Sequence, residues 1–155
     1  NNAGIDSKNY VLLTSLAEIK KVYETNVFGP IICSKEAVKI MKKKNFGRII
    51  NISSIHSDLI VKGSSVYASS KVALEKFSEI FSKEIVSYGV TLNTVSLSVF
   101  KKIGMSNTLS ENIIESILLQ SKTEKFVHED DLISLLNFLF IEKSNLINGQ
   151  KIRLG

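Results

Sequence analysis

An α/β fold with parallel strands is the class this sequence predicts, on three observations. Short apolar runs suited to strands alternate along the chain with longer segments of helical period. The run Arg48-Ile49-Ile50-Asn51-Ile52-Ser53-Ser54 is largely apolar on successive residues, as a strand inside a sheet requires. Leu74, Phe77, Phe81 and Ile85 then recur at helical spacing on one side of the following segment.

The elements follow in order. The first helix is expected from about Ser15 to Lys43, interrupted at Gly29-Pro30, because proline removes a backbone donor and clashes with the preceding turn. Lys42-Lys43-Lys44 stand at its C-terminal end, where cations complement the helix dipole. Asn45-Phe46-Gly47 lead into the strand from Arg48 to Ser53, and Ile55 to Ser65 read as a polar loop. The next helix is expected over roughly Val66 to Tyr88 and is ended by Gly89. A strand from Val90 to Val95 follows. Leu97 to Leu109 lack a clear period, and Ser110 to Gln120 form a short helix. Glu129-Asp130-Asp131 open another, with acids in the first turn as the dipole favours. Leu132, Leu135, Leu136, Leu139 and Phe140 make its apolar face. Asn148-Gly149 turn into a final strand, Lys151 to Leu154. No repeat, low-complexity tract or linker divides the 155 residues, so one domain is read.

Composition removes several function classes. Apolar residues make up 44% and charged residues 23%, ordinary for a globular chain. The net charge of +5 raises nucleic acid as a partner, but the positive charge is almost all lysine and scattered across helix faces. Arg48 and Arg153 are the only arginines, and no recognised nucleic-acid motif is present. A single cysteine excludes an internal disulfide framework and fits a reducing compartment, with cytoplasm the default. Cys33 itself is expected to be a buried structural thiol. No apolar run reaches the ~18 residues of a membrane span. Two histidines and one distant cysteine offer no zinc spacing. Glu129, Asp130 and Asp131 fan out around a helix, so no metal site is expected.

The residues that suggest chemistry are Tyr67 and Lys71, four apart and therefore on one helix face. A phenol beside a fixed ammonium is expected to have its pKa drawn down from about 10, as a proton donor to a carbonyl oxygen requires. Ser54, thirteen residues earlier at a strand end, could hold that oxygen in place. Ser54, His56 and Asp58 invite a hydrolytic triad instead. Residues two apart splay along a chain rather than converge, which argues against it. His56 is read as facing solvent, with the pocket rim as the alternative, and His128 as capping or exposed.

Asn1-Asn2-Ala3-Gly4, the helix carrying Asn26, the strand ending in Ser54 and the Tyr67/Lys71 helix stand together in one order and spacing. In this the chain resembles the short-chain dehydrogenase/reductase family, over essentially all 155 residues. The resemblance implies the C-terminal part of a Rossmann-like doubly wound parallel sheet. It implies NAD or NADP as cofactor and a small carbonyl or alcohol substrate. Asn26, Ser54, Tyr67 and Lys71 match its catalytic positions: Asn26 anchors a water of the proton relay, Ser54 orients substrate, Tyr67 is the acid/base, and Lys71 holds the nicotinamide ribose and lowers the tyrosine's pKa. Asn2, Ala3 and Gly4 match the turn against the dinucleotide's adenosine side. Tyr67, Lys71, Ser98 and Phe100 are implied to border the cofactor as well. A homo-oligomer through the Asn26 and Tyr67 helices is implied, in which Phe28, Ile31 and Ile32 face a partner subunit. Plain core packing is the other reading of those three.

Two departures stand out. Leu97 and Ser98 replace the family's Pro-Gly, and Lys102 falls where a threonine is usual. No Gly-x-x-x-Gly-x-Gly turn occurs, so the chain is read as the latter part of a longer domain, with an unpaired edge on its first strand. The polar loop His56-Ser57-Asp58, with Lys101 and Lys102, favours a hydroxylated or anionic substrate such as a sugar derivative. A 3-oxoacyl-carrier-protein reductase remains an alternative, as does a non-catalytic fragment serving as an interaction module.

Overall fold

The computed structural model describes residues 1–100 and 110–155. Its centre is a parallel sheet in the order β1 (Gly47–Ser54), β2 (Val90–Leu97), β3 (Lys151–Leu154). Gly47 aligns with Val90, Ser54 with Leu97, and Thr94 with Lys151. Because successive side chains point to opposite faces, β1 and β2 each feed two cores. Ile49, Val90 and Leu92 meet Val38 and Ile85 from the helices on one face. Ile50 and Val95 meet Leu139 on the other. A third cluster, Ile55, Val99 and Ile117, closes the carboxyl end of the sheet. Helices on both faces make the architecture doubly wound.

The long first helix divides into α1 (Leu16–Tyr23), a π-helical turn (Glu24–Phe28) and α2 (Gly29–Met41). The Ser15 hydroxyl opens α1 by accepting from the backbone N–H of Glu18 at 3.2 Å. The expected break at Gly29-Pro30 falls just before that pair, because Pro30 sits in the first turn of α2, where its missing N–H costs nothing. The widened turn absorbs the irregularity, and it carries Asn26. Cys33 is exposed on α2, not buried as expected. Ser34, its neighbour, takes the inward position instead.

Helix α3 (Ser65–Ile85) ends in a 3₁₀ turn, Val86–Tyr88, before Gly89. Helices α4 (Glu111–Gln120) and α5 (Glu129–Phe140) follow. The carboxylate of Asp131 accepts from the backbone N–H of His128 at 2.9 Å, closing the first turn of α5. Lys101 and Lys102 lie outside the described residues.

The edge of β1 is covered in its middle. The backbone nitrogen of Asn1 donates to Ile50 O at 2.8 Å, and Ile52 N donates to Asn1 O at 3.0 Å. The Asn1 amide also donates to Asn51 Oδ1 at 2.6 Å, and Asn51 donates to Ser78 on α3 at 2.8 Å. At the far side, Leu92 N donates to Asn148 Oδ1 at 2.9 Å and Asn93 Nδ2 to Ile147 O at 2.7 Å, so side chains guide the turn into β3.

Gly89 has φ +67, and a Cβ there would collide with the carbonyl oxygen of Asn45 in the lead-in to β1. Gly89→Ala is expected to lower unfolding stability by about 2 kcal/mol or more. Gly63→Ala, also at positive φ but in open surroundings, is expected to cost about 1 kcal/mol. Urea denaturation of both variants measures the difference.

Candidate active site

In an open α/β sheet the ligand crevice lies beyond the carboxyl ends of the strands. There the chain forms a cleft of about 460 Å³. Ser54, the last residue of β1, enters it as the strand turns into a 3₁₀ turn, Ile55–Ser57. Tyr67 and Lys71 reach it from the first two turns of α3. Asn2, Gly4, Ser98 and Phe100 complete the part of the wall named from sequence. Ala3 is exposed and outside that wall.

Lys71 is only 3% exposed, and Tyr67 5%. The ammonium donates to Ile52 O at 2.9 Å and stands 5.7 Å from the centroid of the Tyr67 ring. Burial draws the Lys71 pKa down to about 8, against the pull of the Glu75 carboxylate, which favours the charged form. Burial pushes the Tyr67 phenol up to about 12, opposed by its hydrogen bond with Ser54 and assisted by the nearby Asp6 carboxylate. This corrects the expectation of an acidic phenol: the ammonium is spent on a backbone carbonyl, and desolvation outweighs it.

Asn26 is fully buried and does not reach the cleft wall. Its Oδ1 accepts from Ile5 N at 2.9 Å, while Nδ2 donates to Ile5 O at 2.8 Å and to Ser70 Oγ at 3.0 Å. It therefore clamps the backbone of Ile5, next to Gly4, from behind. Gly4 lies between it and the lysine: a Cβ there would come 3.6 Å from Asn26 Oδ1 and 3.5 Å from Lys71 Nζ.

His56 is turned into the cleft, correcting the preference for solvent. Its Nδ1 lies 3.3 Å from Ser54 Oγ, and its ring meets Tyr67 edge-on at 5.6 Å. The pair does converge, because the 3₁₀ turn folds His56 back over the strand end. No triad results. Asp58 is held by Lys151 and Arg153, each at 2.8 Å. Burial holds the imidazole pKa below its ordinary value, with Asp6 raising it and Lys8 lowering it.

The cleft wall is largely apolar, with two unpartnered polar atoms set into it. Ser98 is 7% exposed, and its buried Oγ has no hydrogen-bond partner. The Oδ1 of Asp6 in the same wall is likewise buried and unpartnered. The Cβ of Ser98 lies against Gly155, where an added Cβ would approach it to 2.5 Å. The end of the chain thus supports the residue that departs from the glycine of the resembled pattern. Asp6 and Glu75 are not singled out by any motif in the sequence. Glu75 was visible as the third member of the series Tyr67, Lys71, Glu75 at helical spacing. Asp6 leaves no signal in sequence beyond lying two residues after Gly4.

Lys71 is expected to lose its proton near pH 8 rather than at 10.5. Between those values the unfolded chain binds more protons than the folded one. Stability therefore rises with pH across that window, by at most about 3 kcal/mol from this group. Lysine-labelled NMR reads the titration, and urea melts of Lys71→Met, expected to lack this rise, isolate its contribution.

The comparisons with known proteins agree with this geometry. A family model described as short chain dehydrogenase matches residues 1–113. The 3-oxoacyl-[acyl-carrier-protein] reductase FabG of Salmonella typhimurium is 30% identical over 155 residues, which are all of this chain and 63% of that protein. Its counterpart from Staphylococcus epidermidis is 29% identical over the same span and share. The chain thus spans less than two thirds of the length of these curated relatives. Among solved structures, ElxO with NADP bound is 30% identical with a TM-score of 0.84, over 99% of this chain and 63% of that one. Sharing sequence and fold with these proteins, the chain belongs to the short-chain dehydrogenase/reductase family.

Proposed function

We propose that these residues form the catalytic part of an NAD(P)-dependent oxidoreductase acting on a carbonyl/alcohol pair. The observation that carries this reading is the convergence of Ser54, Tyr67 and Lys71 on one cleft at the carboxyl end of a parallel sheet. When bound, the nicotinamide cofactor supplies or accepts the hydride. Lys71, Tyr67 and Ser98 would border its nicotinamide half, and Asn2, Ala3 and Gly4 its adenosine side. The pyrophosphate contacts are assigned to a glycine-rich turn outside these 155 residues, since none occurs within them.

The chain's own groups then divide the remaining work. Ser54 Oγ and the Tyr67 hydroxyl hold the carbonyl oxygen, and the hydrogen bond between them sets the point where it sits. Burial raises the Tyr67 pKa to about 12, so the phenol carries its proton at neutral pH, and donating it in reduction requires that pKa to fall once the cleft is filled. Lys71 stabilises the phenolate left behind. Asn26, through the segment it clamps, keeps the route by which a proton is replaced. Asp6 and Glu129 in the cleft wall favour a neutral, hydroxylated carbonyl compound such as a sugar derivative. A 3-oxoacyl-carrier-protein substrate is the second reading, favoured by the likeness to the FabG reductases.

A homo-oligomer through the helical segments that carry Asn26 and Tyr67 belongs to the same proposal. It is supported by Phe28 in the π-helical turn and Ile32 on α2, which are 53% and 58% exposed, and by exposed Val72 and Ile80 on α3. Cytoplasm is the proposed compartment. Among the described residues no helix is long and apolar enough to cross a membrane.

Tyr67→Phe in the whole protein is expected to lower turnover by about 100-fold or more while leaving dinucleotide affinity within a few-fold. Steady-state kinetics with NADH and NADPH, beside binding titrations, measure both. Turnover retained in that variant would falsify the catalytic assignment, and a wild-type protein without turnover favours an interaction module. Ile32→Glu is expected to shift sedimentation toward monomer.

A further inference from the structure

Behind the cleft wall a second polar cluster has no part in the chemistry above. Ser53 also borders the cleft, and its hydroxyl is turned toward Glu75 on α3. There the Glu75 Oε1 accepts from Ser53 Oγ at 2.5 Å and from Ser57 Oγ at 2.6 Å. Ser57 Oγ also lies 2.8 Å from Ser54 O, so its proton is shared between the two acceptors. The other oxygen, Oε2, accepts from Lys151 Nζ on β3 at 2.8 Å. Lys151 donates in addition to Ser57 Oγ at 2.9 Å and pairs with Asp58 at 2.8 Å. The Glu75 side chain is 13% exposed, so the pair with Lys151 is screened less than a surface pair.

We infer that Glu75 is a positioning residue for this site: it binds both flanks of the turn that carries Ser54 and His56, and ties that turn to α3 and β3. Ser53 precedes Ser54 and Ser57 follows His56, so one carboxylate brackets the two cleft residues. The same carboxylate stands one helical turn beyond Lys71. The groups facing that ammonium are Tyr67 and Glu75 from its own helix and the Ile52 carbonyl from β1. Glu75 is the anion among them that favours the charged lysine. Charge-assisted bonds of this length are about twice as strong as neutral ones. Releasing them frees the turn and shifts Ser54 Oγ relative to the Tyr67 hydroxyl.

The turnover arm of the test rests on the function proposed above, and the NMR arm does not. Glu75→Gln keeps the shape and removes the charge. In this variant kcat is expected to fall by about 10- to 100-fold, as small misplacements of reacting groups do. The dinucleotide KM should stay within about twofold, and the Lys71 titration should move to lower pH than in wild type. Glu75→Asp, which keeps the charge, should restore the lysine titration and part of kcat. His56 ring resonances should shift in Glu75→Gln. A folded Glu75→Gln protein with kcat, Lys71 titration and His56 resonances all as in wild type overturns the inference. If Glu75→Gln does not fold, Ser57→Ala removes one flank of the bracket. It should still lower kcat by about threefold or more and move His56, and no change in either refutes the role. Should Tyr67→Phe remain active while the NMR shifts occur, the reaction is wrong and the positioning stands.

Discussion

A nearly fully buried ammonium, held by one backbone carbonyl, is the constraint around which the site is arranged. Lys71 donates to Ile52 O inside the packing of α3 on β1. A charge so placed costs several kcal/mol unless it is paired and hydrogen-bonded. The surroundings answer in three ways: the carbonyl, the Tyr67 ring at 5.7 Å, and the field of Glu75 one turn away. The remaining cost appears as a pKa near 8, close to the working range of a cell. Lysine is suited to this because its ammonium surrenders a proton where an arginine would not.

The first residues of the chain depend on a different device. Asn26 satisfies both the N–H and the C=O of Ile5 with one amide, as a strand neighbour would. It can do so because the π-helical turn before Pro30 carries it fully buried beside that stretch. Such turns inside helices often mark functional positions. Here the irregularity fixes Ile5 next to the wall residue Gly4, which leaves the space beside Lys71 open.

The last strand matters to the site out of proportion to its length. β3 has only four residues, yet Lys151 reaches the turn after Ser54, Arg153 pairs with Asp58, and Leu154 O accepts from Ser98 N at 3.0 Å. Packing of Ile152 and Leu154 into the α5 core sets where those groups stand. The cleft is therefore supported by segments far apart in sequence, through hydrogen bonds such as Lys151 to Ser57 and Ser98 to Leu154.

Local patterning alone determined the fold class, the three strands, the apolar face of α3, that of α5 except for Phe140, which is 50% exposed, and the spacing of Tyr67 and Lys71. Those features repeat at short range, where periods of two and 3.6 residues act within one element. The family resemblance rested on the order and spacing of motifs from Asn1 to Lys71, which are read directly along the chain. Contacts decided the rest. Whether Cys33 or Ser34 points inward depends on the rotation of α2 over the sheet. Whether His56 faces water or Tyr67 depends on the turn after β1. The direction of the Tyr67 pKa depends on how much desolvation outweighs a neighbouring charge, which spacing does not contain. Glu75 meets Ser53, Ser57 and Lys151 only because α3, β1 and β3 pack as they do. Burial and long-range hydrogen bonding exist only once distant segments have come together, so tertiary structure is the level at which they are set.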